Sequence, residues 1–278
     1  MEQEPAVERA EHTARLLWRH REQQPRRRGP RPGRELDDVV AAGIAIADAD
    51  GIAGLTVRGL TARLGLARMG LYTYVADLDQ LVELMIDQAA AEFFDGRLRG
   101  FPYGPRSRRP ADPRRGWRRA AGTLCDANLD WIRRHPWLVE RPNVRPVLGP
   151  SSTAKYDAEL GVFDRLGLTD LEMDLAVWQL LNHVRGIAVD LTAAAREPET
   201  SEQWWSAGAA AAAARITAAE FPLAVRVGTA AGDAQAAAYD PLGSYRFGLS
   251  RLLDGLQVMI DDAGSRHRQT LEFRPDEG

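Results

Sequence analysis

The chain has 278 residues, 45% of them hydrophobic, and a formal net charge of −3. Its single cysteine, Cys125, excludes an internal disulfide and a cysteine-based zinc site. No apolar stretch follows the Met-Glu-Gln-Glu-Pro start, and the longest low-polarity run, residues 207–214, is far short of the roughly 20 residues of a membrane span. No signal peptide and no membrane partner are expected, and the chain reads as cytoplasmic.

The small net charge conceals an asymmetry. Arginine outnumbers lysine 35 to one, Lys155 being the one lysine. Residues 1–34 carry nine Arg and five Glu, residues 35–95 three Arg and eleven acids, and residues 97–119 nine Arg and one Asp. Such blocks are either solvated charge runs or partner-binding segments.

In chain order, residues 5–24 place Val7, Ala10, Ala14, Leu17 and Trp18 on one stripe, which predicts a short amphipathic helix. Residues 25–34 (PRRRGPRPGR) cannot be helical and read as a cationic arm, closing an N-terminal extension over 1–34. Leu36, Val39, Val40, Gly43, Ile44 and Ala47 then recur at helical spacing, and Gly51 marks a stop. Thr56 is placed to cap a helix from Val57 to Leu64, which Gly65 ends. A short helix over about 67–74 follows, and Asp77 is placed to cap a fourth through Leu81, Val82, Met85 and Ile86 to about residue 94. Residues 96–116 are rich in Gly, Pro and Arg and read as a mobile loop. Beyond it every pattern is helical, at about 117–135, 151–167, 169–196, 202–220 and 242–262, with a flexible tail over 264–278. The fold class is all-α.

The informative stretch is 36–84. Two short helices joined by Gly65-Leu66, between longer ones, make a helix-turn-helix, whose second helix can enter a DNA major groove. From Thr56 to Val75 there are three arginines (Arg58, Arg63, Arg68) and no acid, inside an otherwise acidic segment. That is the charge pattern a surface facing phosphates needs.

The run GIAGLTVRGLTARLGLARMGLYTYVADLDQLVELM resembles the DNA-binding domain of the tetracycline-repressor (TetR) family. The Gly-x-x-Gly-Leu-Thr-x-Arg lead, the Leu-Gly-Leu turn and the Leu-Tyr-x-Tyr-Val end carry the likeness, over about 50 residues. The resemblance implies an N-terminal helix-turn-helix domain, here 35–80, and a larger helical domain, here 81–263, that binds an effector and dimerises. It implies that Thr56 caps its helix and touches phosphate, and that Arg58 reads a base, as an Arg fork pairs with guanine. Arg68, Met69 and Gly70 would hold the exposed start of the recognition helix; Tyr72 would bond phosphate, with Thr73 and Tyr74 adding backbone contacts. Two positions depart from the family: Leu78, flanked by Asp77 and Asp79, stands where a phosphate-gripping Lys is common, and Val57 stands where a hydroxyl is common. We therefore expect Arg26, Arg27, Arg28, Arg31 and Arg34 of the arm to supply attraction to DNA.

In the C-terminal half, Leu171, Leu175, Trp178, Asn182, Arg185 and Val189 share one face of the 169–196 helix, and Met173, Val177, Leu180, Val184, Ala188 and Leu191 share the opposite one. A helix apolar on both sides is expected to be buried on both, one side lining a pocket and the other a dimer interface. Trp178, Asn182 and Arg185 either form a ligand site or satisfy one another or a neighbouring helix end. Trp131, Trp137, Tyr156 and Phe163 are further pocket candidates. The stripe Leu249, Leu252, Leu253, Leu256, Met259, Ile260 suits a two-fold four-helix interface. No catalytic, cofactor or metal motif is present. The expected function is a homodimeric DNA-binding regulator, in the family's usual mode a repressor that leaves a palindromic operator on binding a small-molecule effector; the alternative is a helical interaction or non-specific nucleic-acid-binding module. The sequence names neither effector nor operator.

Overall fold

The computed structural model describes residues 3–21, 35–94, 98, 101, 103, 112–140, 145–213, 215–235, 237 and 239–272. Among these there is no strand. Eleven α-helices follow in order: α1 (Gln3–Leu17), α2 (Leu36–Asp50), α3 (Val57–Leu64), α4 (Arg68–Leu71), α5 (Leu78–Ala91), α6 (Trp117–Arg134), α7 (Pro150–Gly161), α8 (Asp170–Ala194), α9 (Ser201–Ala213), α10 (Pro222–Gln235) and α11 (Pro241–Glu272). No helix among the described residues is long and apolar enough to cross a membrane.

The helix ends obey local chemistry. Thr56 Oγ1 accepts from Gly59 N at the start of α3, and Asp77 does the same for Gln80 N at the start of α5. Gly65 ends α3 in the left-handed region at φ 64°, where a side chain would be strained. Thr169 and Glu172 form a reciprocal capping box at the start of α8.

α2, α3, α4 and α5 pack as a small head around Val39, Leu60, Leu64, Leu71, Val75 and Leu81. α6, α8 and α11 pack as the main layer of the body, with α7 joining α5 to it. The boundary expected at residue 80 thus falls inside a helix shared by both halves. Asp87 of α5 is buried and accepts from Ser151 N (3.0 Å) and Ser152 N (2.8 Å), capping α7 from outside its own chain segment. Gly149 permits the approach, since a Cβ there would lie 2.2 Å from Asp87 Oδ1.

Four expectations are corrected. The recognition helix is one α turn, α4, continued by tighter turns through Tyr74. Thr73 N and Tyr74 N bond carbonyls three residues back, and Thr73 Oγ1 donates to Gly70 O, as suits a Gly-Leu-Tyr-Thr-Tyr run poor in helix formers. The segment 96–116 is not free along its length, because Leu98, Phe101 and Tyr103 are buried in the core. α10 was not expected; its Ala, Gly and Thr content gives no apolar stripe of useful width. α11 continues nine residues into the expected tail, to Glu272.

Candidate DNA-contacting surface and effector residues

The head leaves most of the expected DNA-contacting residues exposed. Thr56, Arg58, Arg63, Arg68, Tyr72 and Thr73 are all exposed, and Met69 at the start of α4 is 73% exposed. Gly70 is half-buried above Leu66, and Tyr74 is half-buried against the core, so it serves packing at least in part. Arg58, Arg63 and Arg68 make no ion pair among the described residues, whereas Arg9, Arg19, Arg118, Arg134, Arg165, Arg196, Arg246 and Arg251 all do. Three cations without an ion-pair partner among the described residues are available to an external anion. Arg26, Arg27, Arg28, Arg31 and Arg34 lie outside the described residues.

The N-terminal helix α1 docks onto this head, which the sequence did not reveal: periodicity shows that a helix has an apolar face, not where it binds. Gln80 of α5 is completely buried, and its amide nitrogen donates to Thr13 Oγ1 (2.9 Å) and to His12 Nδ1 (3.1 Å), while its oxygen accepts from Ala76 N. Arg9 forks onto the two carboxylate oxygens of Asp77, and Arg19 and His20 both engage Asp37 at the start of α2. Trp18 Nε1 donates to Leu148 O (2.9 Å), beside the start of α7.

The expected effector residues do not converge. Phe163 is wholly buried against Trp117, and Trp137 is wholly buried with its Nε1 donating to Asp48 Oδ1 (2.7 Å). Tyr156 is exposed, and its hydroxyl donates to Asp174 Oδ1 (2.7 Å), a bond that pushes the phenol up to about 12. Trp178 is 43% exposed, Asn182 is exposed, and both lie on an outer face of α8 with Leu171, Leu175 and Val189. Arg185 serves a neighbouring helix end, donating to Leu138 O (3.1 Å) and Val139 O (3.5 Å) at the close of the 3-10 turn Pro136–Val139; burial holds its pKa below the ordinary arginine value. The other face of α8 (Val177, Leu180, Val184, Ala188) is buried within the chain. The α11 stripe expected at a dimer interface also turns inward, with Leu249, Leu253 and Ile260 buried.

Trp131 of the expected set borders a buried ion pair. Lys155 Nζ is paired with Glu159, which is 2% exposed, and Asn128 Nδ2 donates to the same carboxylate oxygen (3.1 Å). The ammonium stands 4.6 Å from the Phe93 ring centre and 5.2 Å from that of Trp131, within cation–π range. Trp131 is itself fixed by Nε1 donating to Ala89 O (2.9 Å). Cys125 sits in the same layer, its thiol pushed up to about 12 by burial and so inert as a nucleophile. The sequence signal for this cluster was present: the one lysine of an arginine-rich chain, four residues before a glutamate.

Head and body are linked again at the far end of α2. His135 Nδ1 lies 2.9 Å from Asp48 Oδ1, and Ile52 N donates to Glu140 Oε2 (2.7 Å), which also pairs with Arg196. Asp48 therefore holds both His135 and Trp137, and the turn they sit in is held in place by Arg185 of α8.

A family model described as the tetracyclin repressor-like C-terminal domain matches residues 109–260. The HTH-type transcriptional repressor DrrR1 of Streptomyces coeruleorubidus is 33% identical over 238 residues, which cover 84% of this chain and 81% of that protein. Apo ActR from Streptomyces coelicolor superposes with a TM-score of 0.65 at 20% identity, covering 84% of this chain and 100% of ActR. ActR in complex with actinorhodin superposes with a TM-score of 0.62 at 20% identity, covering 82% of this chain and 97% of that one. At such identities the two structures testify to fold alone; the domain match and the repressor relative carry the assignment, and the chain belongs to the tetracycline-repressor family of transcriptional regulators.

Proposed function

We propose that this protein is a repressor that binds a palindromic operator as a homodimer and leaves it when a small-molecule effector binds the body. The observation that carries DNA binding is the unpaired arginine triad, Arg58, Arg63 and Arg68, exposed on the helix-turn-helix of an otherwise acidic head. Thr56, Arg68, Met69, Gly70, Tyr72, Thr73 and Tyr74 complete the contact surface, with Arg58 as base reader. Arg26, Arg27, Arg28, Arg31 and Arg34 add backbone or minor-groove contacts. Repression is the activity named for the relative DrrR1.

The homodimer is supported by the exposed apolar side chains of α8 (Leu171, Leu175, Trp178, Val189) and of α11 (Phe247, Val258), on adjoining helices. An effector of aromatic, oxygen-bearing chemistry is supported by the Lys155–Glu159–Asn128 cluster between Phe93 and Trp131, where a polar ligand group can exchange for one of the internal partners. Of the earlier candidates Trp131 remains in this site, and Phe163, Tyr156, Trp178, Asn182 and Arg185 do not.

The test is selection from a randomised duplex pool by the intact protein, followed by mobility shift on the recovered sequence. A salt-sensitive, sequence-specific shift with two-fold symmetry is expected. Equal retention of every duplex would leave only a non-specific charge module. For the arm, Arg-to-Ser replacement at 26–34 is the informative variant. Truncation would also remove Thr13 from buried Gln80 and disturb the head itself.

A further inference from the structure

Helix α1 brings a cation to the end of the recognition turn. Arg9 faces Asp77, three residues after Tyr74, and engages both its carboxylate oxygens, Nη2 lying 3.0 Å from Oδ1. This place is not set by the ion pair alone. Thr13, one helical turn on, is buried against Gln80, and Leu17, two turns on, is buried in the core, so α1 is seated by packing and Arg9 is delivered where it stands. The ion pair leaves the Arg9 side chain 44% exposed. A guanidinium has five donors in a planar fork; a carboxylate on one edge uses two and leaves others directed outward. The charges of Asp77, Glu83 and Asp79 all act on Arg9, so the guanidinium is the cation set against this acidic corner of the turn.

We propose that Arg9 is a DNA-binding residue: its guanidinium bridges Asp77 and a phosphodiester oxygen of duplex DNA, making α1 an integral part of the DNA-binding head. The inference rests on the operator-binding reading above. It assigns α1 a role separate from that of residues 26–34, because its contact is fixed by a packed helix.

The experiment compares wild type, Arg9→Ala, Asp77→Asn and the double variant on the duplex recovered by selection with the intact protein and on a scrambled duplex, each over a range of salt. A phosphate contact predicts that Arg9→Ala weakens binding to both duplexes by roughly tenfold and lowers the salt slope by about one unit. It predicts further that the loss persists in the Asp77→Asn background, where no ion pair remains to be broken. Arg9→Gln, which keeps the helix and a bond to Asp77, must show the same lowered slope at unchanged melting temperature. If Arg9→Ala is silent once Asp77 is Asn, or if the slope is unchanged, Arg9 only holds α1 in place and the proposal is overturned. Failure of wild type to recover any sequence would instead sink the operator-binding reading.

Discussion

Lys155 shows how one residue departs from the habits of its chain. Every other strong base is arginine, and the single ammonium is buried with a carboxylate and two aromatic rings. A buried ion pair seldom adds stability over well-packed apolar side chains, yet removing one partner strands the other. Glu159→Leu alone is therefore expected to lower stability by about 3 kcal/mol or more. Lys155→Met combined with Glu159→Leu should melt near the wild-type temperature and still shift DNA, but no longer release it when effector is added. Thermal melts and effector titrations of the three proteins check this, and a double variant that still responds would place the effector elsewhere. At this scale the sequence was legible where one residue acts locally, as with the Thr56 and Asp77 caps and the Gly65 stop. It was not legible where the partner is distant: nothing near Asp48 indicates that it holds His135 and Trp137.

Among elements, α1 is held by charge as well as by packing, and that makes its docking sensitive to pH. Burial alone would raise the Asp37 carboxyl, but the bond and charge of Arg19, with His20, outweigh it and hold the group below the usual carboxylate range. Asp77 is held low chiefly by its bond from Arg9. A carboxyl depressed in the folded state stabilises above its unfolded pKa and loses that contribution as pH falls through the folded one. α1 should therefore stay docked at neutral pH and detach below about pH 4. The difference in tryptophan emission between wild type and Trp18→Phe reports this, since Trp18 is bonded to Leu148 O only while α1 is seated. An emission difference unchanged well below the carboxylate range would show that packing alone holds the helix. The same scale explains what the periodicity gave and withheld. α2, α3, α5, α6 and α8 were legible because each has one wide apolar face or a clear cap. α10 was not, being built of small residues, and the brevity of α4 follows from Gly70 and the run of β-branched and aromatic residues after it.

At the scale of the molecule, α8 is the clearest case of a pattern rightly seen and wrongly apportioned. Both of its faces are apolar, as the sequence shows, but one packs into this chain's own core and the other, apart from Arg185, leaves Leu171, Leu175, Trp178 and Val189 exposed. A pattern states that a face is to be covered; whether by ligand, by self or by a second copy depends on geometry it does not contain. Trp178→Glu is expected to convert the proposed dimer to monomer in sedimentation and, because a palindrome needs two heads, to weaken operator binding by at least tenfold. A Trp178→Glu protein that remains dimeric would move the interface off this face.

The cap that Asp87 places on α7 has a consequence for how steeply such a molecule responds. Two adjacent amides, Ser151 N and Ser152 N, share one carboxylate oxygen at 3.0 and 2.8 Å. Hydrogen bonds weaken steeply once the separation grows by about half an ångström. Motions of α5 smaller than that are absorbed without loss, whereas a larger one breaks both bonds together and exposes a buried charge. The junction between head and body is therefore expected to act as a detent rather than a spring, holding through small motions of α5 and yielding abruptly once displacement exceeds the reach of these two bonds.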